Sequence, residues 1–165
     1  MKDILITNVR LMDPASGQDD ITDIYISNGL IANIGEPLAA TLTIDGTGLI
    51  AAPGLIDMRV TTGEPGNEHR ETIDSAAFAA MAGGVTSMVI MPDTDPVIDD
   101  ISLIHYIERQ GAETPVNIHT AGAITKGLDG KTLTEIGLMS DAGAVMFANG
   151  GRTITDAQIL SLIHI

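Results

Sequence analysis

Four histidines, His69, His105, His119 and His164, are the only imidazoles in this 165-residue chain, and there is no cysteine. The lack of thiols excludes disulfides, zinc–thiolate centres and cysteine nucleophiles. Imidazoles and carboxylates remain as candidate metal ligands or proton carriers. His119 lies in an apolar strand pattern and can point to the inside of a sheet. Without a partner nearby it reads as a packing or hydrogen-bonding residue. His105 falls within a helical pattern and reads as solvent-facing, and His69 reads as a loop residue with a structural role. Lys126 stands in a loop, and a buried lysine there would be a candidate catalytic amine. Arg59 is the most unusual residue, a permanent cation at the end of an apolar strand. Its plain role is an ion pair with Asp57, Glu64 or Asp93. Its sharper role is a fixed positive charge that keeps a pocket folded. The glycine pair Gly83-Gly84 ends a helix and precedes a strand, the reverse of a dinucleotide-binding loop.

Two kinds of element position these residues. Residues 1–52 read as short strands. Ile4-Leu5-Ile6 begins one, and Asp23 to Ser27 alternates polar and apolar. Asn28-Gly29 is a two-residue hairpin signal, and Leu30 to Ile34 is the returning strand. Thr41 to Asp45 and Leu49 to Ala51 add two more, which makes a small antiparallel β unit. From Pro53 the rhythm changes. Apolar strands at Gly54–Met58, Val85–Met91, Val116–His119 and Ala144–Phe147 alternate with helical patterns. The first helix puts Ile73, Ala76, Ala77, Ala80 and Met81 on one face and stops at Gly83-Gly84. The second runs from Ile101 to Gln110. Capping boxes at Thr132/Glu135 and Thr155/Gln158 predict the third and fourth. Such alternation is the mark of parallel βαβ units. A closed (β/α)8 barrel takes eight strands and about 250 residues. The expected fold is therefore α/β: a small β domain (1–52), then the first half of a TIM barrel, about four βα units (53–159).

Composition narrows the function. There are 8 Lys+Arg against 22 Asp+Glu, a formal charge of −14, which repels phosphate backbones and argues against nucleic-acid binding. No apolar run is long enough to span a bilayer. The start, MKDILITNVRLMDP, lacks a signal-peptide pattern and reads as that of a cytoplasmic protein.

Three blocks carry a specific resemblance. They are APGLIDMRVTTGEPGNEHRETI (52–73), AGGVTSMVIMPDTDP (82–96) and GAITKGLDGKTLTEIGLMSDAGAVMF (122–147). Each is similar to the corresponding stretch of dihydroorotases, hydrolases of the amidohydrolase superfamily. The resemblance covers residues 1 to about 159. It implies a TIM barrel with an appended β domain, zinc in active members, and a site at the C-terminal ends of the barrel strands. Retention of the Gly122–Gly127 block favours a loop-structure role for Lys126.

The site residues depart from what the resemblance implies. Active members carry His-x-His at the end of strand one, two imidazoles on one face of a strand. Their metal makes hydroxide from a bound water. Arg59 and Thr61 stand there. Arginine stays protonated and has no lone pair to give, and threonine is a poor ligand beside imidazole. The family's substrate-binding arginine corresponds to Gly63. Its substrate-binding asparagine after strand two corresponds to Asp93, which would repel a carboxylate. Its metal-bridging aspartate after strand four corresponds to Asn149. We therefore expect no catalytic residue, no metal ligand and no cofactor, with Arg59, Thr61, Gly63, Asp93 and Asn149 as remnants of a substrate pocket.

The resemblance is greatest to non-catalytic dihydroorotase-like proteins that associate with aspartate transcarbamoylase in pyrimidine biosynthesis. The expected partner is the transcarbamoylase catalytic subunit, in a hetero-oligomer. The alternative is an active metal-dependent cyclic amidase whose ligands lie outside this stretch. The last six residues, Leu160 to Ile165, resemble a translated transposase-type sequencing adapter. The expectation is a coding sequence interrupted after Ile159, against the reading of an ordinary apolar helix end. An isolated half barrel is expected to associate through its open strand edge.

Overall fold

A computed structural model describes residues 3–163. The chain forms two compact units that divide between Pro53 and Gly54.

The first unit is one five-stranded sheet. Strands β1 (Ile4–Asp13), β2 (Gln18–Ser27) and β3 (Leu30–Ile34) form an antiparallel meander. Asn28-Gly29 is its second turn, with both residues at positive φ (52° and 79°), as a primed two-residue turn requires. β4 (Leu42–Asp45) and β5 (Ile50–Ala51) both join β1 in parallel, so the sheet is mixed at that side. Val9, Leu11 and Ile24 form its small core.

The second unit holds four parallel strands in chain order: β6 (Leu55–Val60), β7 (Val85–Ile90), β8 (Asn117–Ala123) and β9 (Ala144–Ala148). Helices α1 (Ile73–Ala82), α2 (Ile101–Gly111) and α3 (Ile136–Asp141) connect them, and α4 (Ala157–Ile163) follows. These are the first four units of a (β/α)8 arrangement. Met88 and Ile90 alternate with Val89 and Met91, so β7 buries both faces. Met88 packs with Ala76 and Ala77 of α1, and Ile90 with Ile104 and Ile107 of α2. Val89, Met91 and Ala121 form a separate cluster on the opposite, concave face, with Met146 and Ala148 against it. The edge strand β6 leaves Leu55, Ile56 and Met58 exposed.

Local sequence explains the helix ends, with two corrections. Thr72 and Ser75 form a reciprocal capping box on α1, and the Asp100 carboxylate caps α2 through the Ser102 N–H (2.8 Å). The predicted box at Thr132/Glu135 does not form. Asp129 Oδ1 takes the N–H groups of Lys131 (2.7 Å) and Thr132 (3.0 Å). Leu133 pairs with Thr125 in an antiparallel bridge, so the chain stays extended and α3 starts at Ile136. At α4 the cap is Asp156, not Thr155: its Oδ1 accepts the Gln158 N–H at 2.8 Å. Leu160 to Ile163 continue α4, while His164 and Ile165 lie outside the described residues. Among the described residues no helix is long and apolar enough to cross a membrane.

Candidate functional site

The loops after the four parallel strands form a rim whose backbone is stitched together. Met91 N–H donates to Val60 O (2.8 Å), Asp95 N–H to Pro65 O (3.2 Å), Ala123 N–H to Ile98 O (2.7 Å) and Ile124 N–H to Ala148 O (3.0 Å). Gly127 N–H adds a bond to Asp99 Oδ2 (2.8 Å).

Arg59 and Thr61 stand at the end of β6, and both are exposed. Asp57 is in register with Met88, and Val60 with Ile90. Two residues, Met58 and Arg59, therefore oppose the single Val89, a β-bulge. Val89 is also in register with His119. Arg59 and His119 thus share one layer of the sheet, two strands or about 10 Å apart. His119 lies on the concave face, as its strand position allowed, and is exposed. The expected ion pair of Arg59 is not formed. The Asp57 carboxylate accepts the Arg59 backbone N–H instead (3.0 Å). Among the described residues the Arg59 guanidinium has no carboxylate partner.

Glu64 is unavailable to Arg59 because it faces the helices. It is buried at 9% exposure. Its Oε2 accepts the Ile73 N–H (2.8 Å), the first free amide of α1, and its Oε1 accepts the Tyr106 hydroxyl from α2 (2.6 Å). A carboxylate at a helix N-terminus is favoured by the helix dipole. The same hydrogen bond holds the Tyr106 phenol above its ordinary value, with burial acting in the same direction. Sequence reasoning missed this junction. The available signal was an acid in the loop that precedes a helix start.

Gly63 is buried beneath its own loop. A Cβ at this position would collide with the carbonyl oxygens of Asn67 and Glu71. Only a residue without a side chain fits. Beside it, Thr61, Thr62, Arg70 and Glu71 line a shallow depression.

Asp93 is exposed in the loop after β7. It reaches the loop after β9, where a Cβ on Gly150 would lie 3.1 Å from Asp93 Cβ. Asn149 is buried, and its amide is committed internally. Oδ1 accepts the Thr125 hydroxyl (2.7 Å), and Nδ2 donates to Arg152 O (3.3 Å). Thr125 Oγ1 in turn accepts the Gly130 N–H (2.9 Å). Lys126 is exposed, and its backbone N–H donates to Thr132 O (2.8 Å), in keeping with a loop-structure role. His69 and His105 are exposed, and His105 Nδ1 lies 3.2 Å from Glu108 Oε2 on the same helix.

The rim brings Asp93 and Asn149 to neighbouring loops and leaves Arg59 and Thr61 on the strand-one edge. Among the described residues, no three His, Asp or Glu side chains come together as a metal-binding group. The donor chemistry agrees: a guanidinium, a threonine hydroxyl and an amide with both ends occupied do not fit a zinc ion. A further hollow, lined by Thr114, Pro115, Asn117 and His119, lies toward the start of β8, away from the rim.

A half-barrel of parallel βα units after a small β unit, with its loops gathered at one rim, is the architecture of amidohydrolases. An L-hydantoinase (dihydropyrimidinase) from Arthrobacter aurescens superposes with a TM-score of 0.74 at 27% identity, over 89% of this chain and 32% of that one. A dihydroorotase crystal structure shares the fold, with a TM-score of 0.52 at 22% identity over 77% of this chain and 32% of that one. The sequence model of the family described as Dihydro-orotase-like matches residues 48–162. The dihydroorotase of Solibacter usitatus is 44% identical over 160 residues, 95% of this chain and 37% of that protein. That of Streptococcus pneumoniae serotype 4 is 39% identical over 159 residues, 95% and 38% of the two chains. The chain belongs to the dihydroorotase-like family, and it spans under two-fifths of the length of these curated relatives.

Proposed function

We propose that this chain is part of a dihydroorotase-like protein that does not hydrolyse a cyclic amide. It serves instead as a structural subunit in cytoplasmic pyrimidine biosynthesis, assembled with the catalytic subunit of aspartate transcarbamoylase. The observation that carries the first half is the chemistry at the end of β6. By the resemblance, Arg59 on β6 and Thr61 directly after it correspond to the two imidazoles of active members. A metal-activated hydroxide needs neutral or anionic ligands, and Arg59 supplies a cation. Gly63, enclosed by its loop, and Asn149, bonded to Thr125 and Arg152, support the same reading. The partner is supported by resemblance to the non-catalytic members.

The test is co-purification of the full-length protein with the transcarbamoylase catalytic subunit, with dihydroorotate turnover assayed on the same material. A stable complex without turnover is the expected result. Turnover by the isolated protein, or no association at micromolar concentration, overturns the corresponding half.

A second reading, an active metal-dependent cyclic amidase, is favoured by the 44% identity to a dihydroorotase. It requires ligands contributed by residues outside this chain. Stoichiometric zinc together with turnover separates it from the first.

A further inference from the structure

Two Asn-Gly pairs occur in the chain, Asn28-Gly29 and Asn149-Gly150, and the fold places them in opposite environments. Asn28 and Gly29 are exposed at the tip of the β2–β3 hairpin, closed by the Ser27–Leu30 pair. Among the described residues the Asn28 side chain has no hydrogen-bond partner. Asn149 is buried at 8% exposure, with its amide oxygen and nitrogen bonded to Thr125 and Arg152. The space beside Gly150 is limited, since a Cβ there would lie 3.1 Å from Asp93 Cβ. The other asparagines, Asn8, Asn33, Asn67 and Asn117, precede Val9, Ile34, Glu68 and Ile118, whose side chains crowd their backbone nitrogens.

We infer that Asn28 is a site of spontaneous covalent modification, converted through a cyclic imide to aspartate and isoaspartate, and that Asn149 is protected from the same reaction. The Gly29 backbone nitrogen attacks the Asn28 side-chain carbonyl carbon and forms the new C–N bond. The bond to the side-chain nitrogen breaks, and ammonia leaves with the proton given up by the Gly29 amide. Water then opens the imide at either carbonyl, to give aspartate or isoaspartate. No oxidant, metal or second protein is needed.

Ring closure requires the Asn28 backbone to rotate out of its left-handed conformation. The hairpin tip supplies that freedom, because β3 is an edge strand with mostly exposed residues, and such ends open at little cost. The same rotation at Asn149 breaks two hydrogen bonds and displaces packed backbone. The consequence for the fold is local. Each event adds a negative charge, and isoaspartate lengthens the main chain by one methylene within a two-residue turn. The Ser27–Leu30 and Ile26–Ile31 pairings are set by that turn.

The test is incubation of the full chain in mildly alkaline buffer at physiological temperature, followed by peptide mapping with mass spectrometry. The one-dalton gain and the paired aspartate and isoaspartate peptides identify the product. In the folded protein, conversion at Asn28 is expected to exceed that at Asn149 by about tenfold or more, from the loss of two hydrogen bonds and local opening. In denaturant both sites should convert at similar rates. Equal conversion of the two sites in the folded chain overturns the inference. So does an unmodified Asn28 under conditions that convert both sites in denaturant. Neither outcome bears on metal content or turnover.

Discussion

Tyr106 on α2 donates its hydroxyl to Glu64 in the loop after β6, at 2.6 Å, and Glu64 in turn accepts the Ile73 N–H at the start of α1. One buried carboxylate thus ties the strand-one loop to two helices. Removal of the hydroxyl in Tyr106→Phe leaves a buried charge with one partner fewer. The expected cost is about 1.5–3 kcal/mol, the range for hydrogen bonds to charged groups. Urea denaturation of the variant and the parent protein measures it.

The same bond sets a pH dependence. The Tyr106 phenol is held above its ordinary value of 10.0, chiefly by the hydrogen bond to Glu64. A raised value means that the bond contributes fully below pH 10.0 and that its contribution is lost as pH rises through the higher folded value. The stability gap between the parent and Tyr106→Phe should therefore be constant at neutral pH and close in strong alkali. A gap that closes between neutrality and pH 10.0 contradicts the assignment.

Arg59 is exposed and unpaired among the described residues, so its removal should be nearly silent. Arg59→Ala is expected to stay within about 0.5 kcal/mol of the parent, as for surface substitutions away from special features. A loss well above that in thermal unfolding would restore the idea that this cation holds the pocket together.

Gly63→Ala places a Cβ against the carbonyls of Asn67 and Glu71. Overpacking of this kind costs about 1–3 kcal/mol. The measurement is the unfolding midpoint, and hydrogen exchange of the 63–71 amides should rise with it. An unchanged midpoint would show that the loop opens freely and that a longer side chain can be accommodated there.

Thr120 is buried at 1% exposure, in register with Ile90 and Ala144, and its hydroxyl has no hydrogen-bond partner among the described residues. An unsatisfied buried hydroxyl carries a penalty of about 1–3 kcal/mol. Thr120→Val keeps the shape, removes the polar atom and should raise the unfolding midpoint. A lower midpoint would show that the hydroxyl is satisfied.

Much of the fold could be read from the chain because strand and helix periods switch near Pro53, and because Asn28-Gly29 and Gly83-Gly84 mark a turn and a helix end. The helix starts at Ile136 and Ala157 were harder to place. There Asp129 and Asp156, two acids that compete for free amides, prevail over the Thr132 and Thr155 patterns. The type of each rim residue was legible, including that positions 59 and 61 hold an arginine and a threonine. The partners of those residues were not. Nothing in the local sequence says that Glu64 turns toward Tyr106, 42 residues away, or that Asn149 is spent on Thr125, 24 residues away. Such pairings come from the order of strands in the sheet, which brings distant loops to one rim.

The most direct test of the central claim is the metal content of the full-length protein, purified without chelator and analysed by elemental mass spectrometry. With Arg59 and Thr61 at the end of β6, zinc should remain far below one ion per chain, and treatment with a chelator should leave the thermal midpoint unchanged. One or more tightly held zinc ions per chain, whose removal lowers the midpoint and abolishes dihydroorotate hydrolysis, would contradict it.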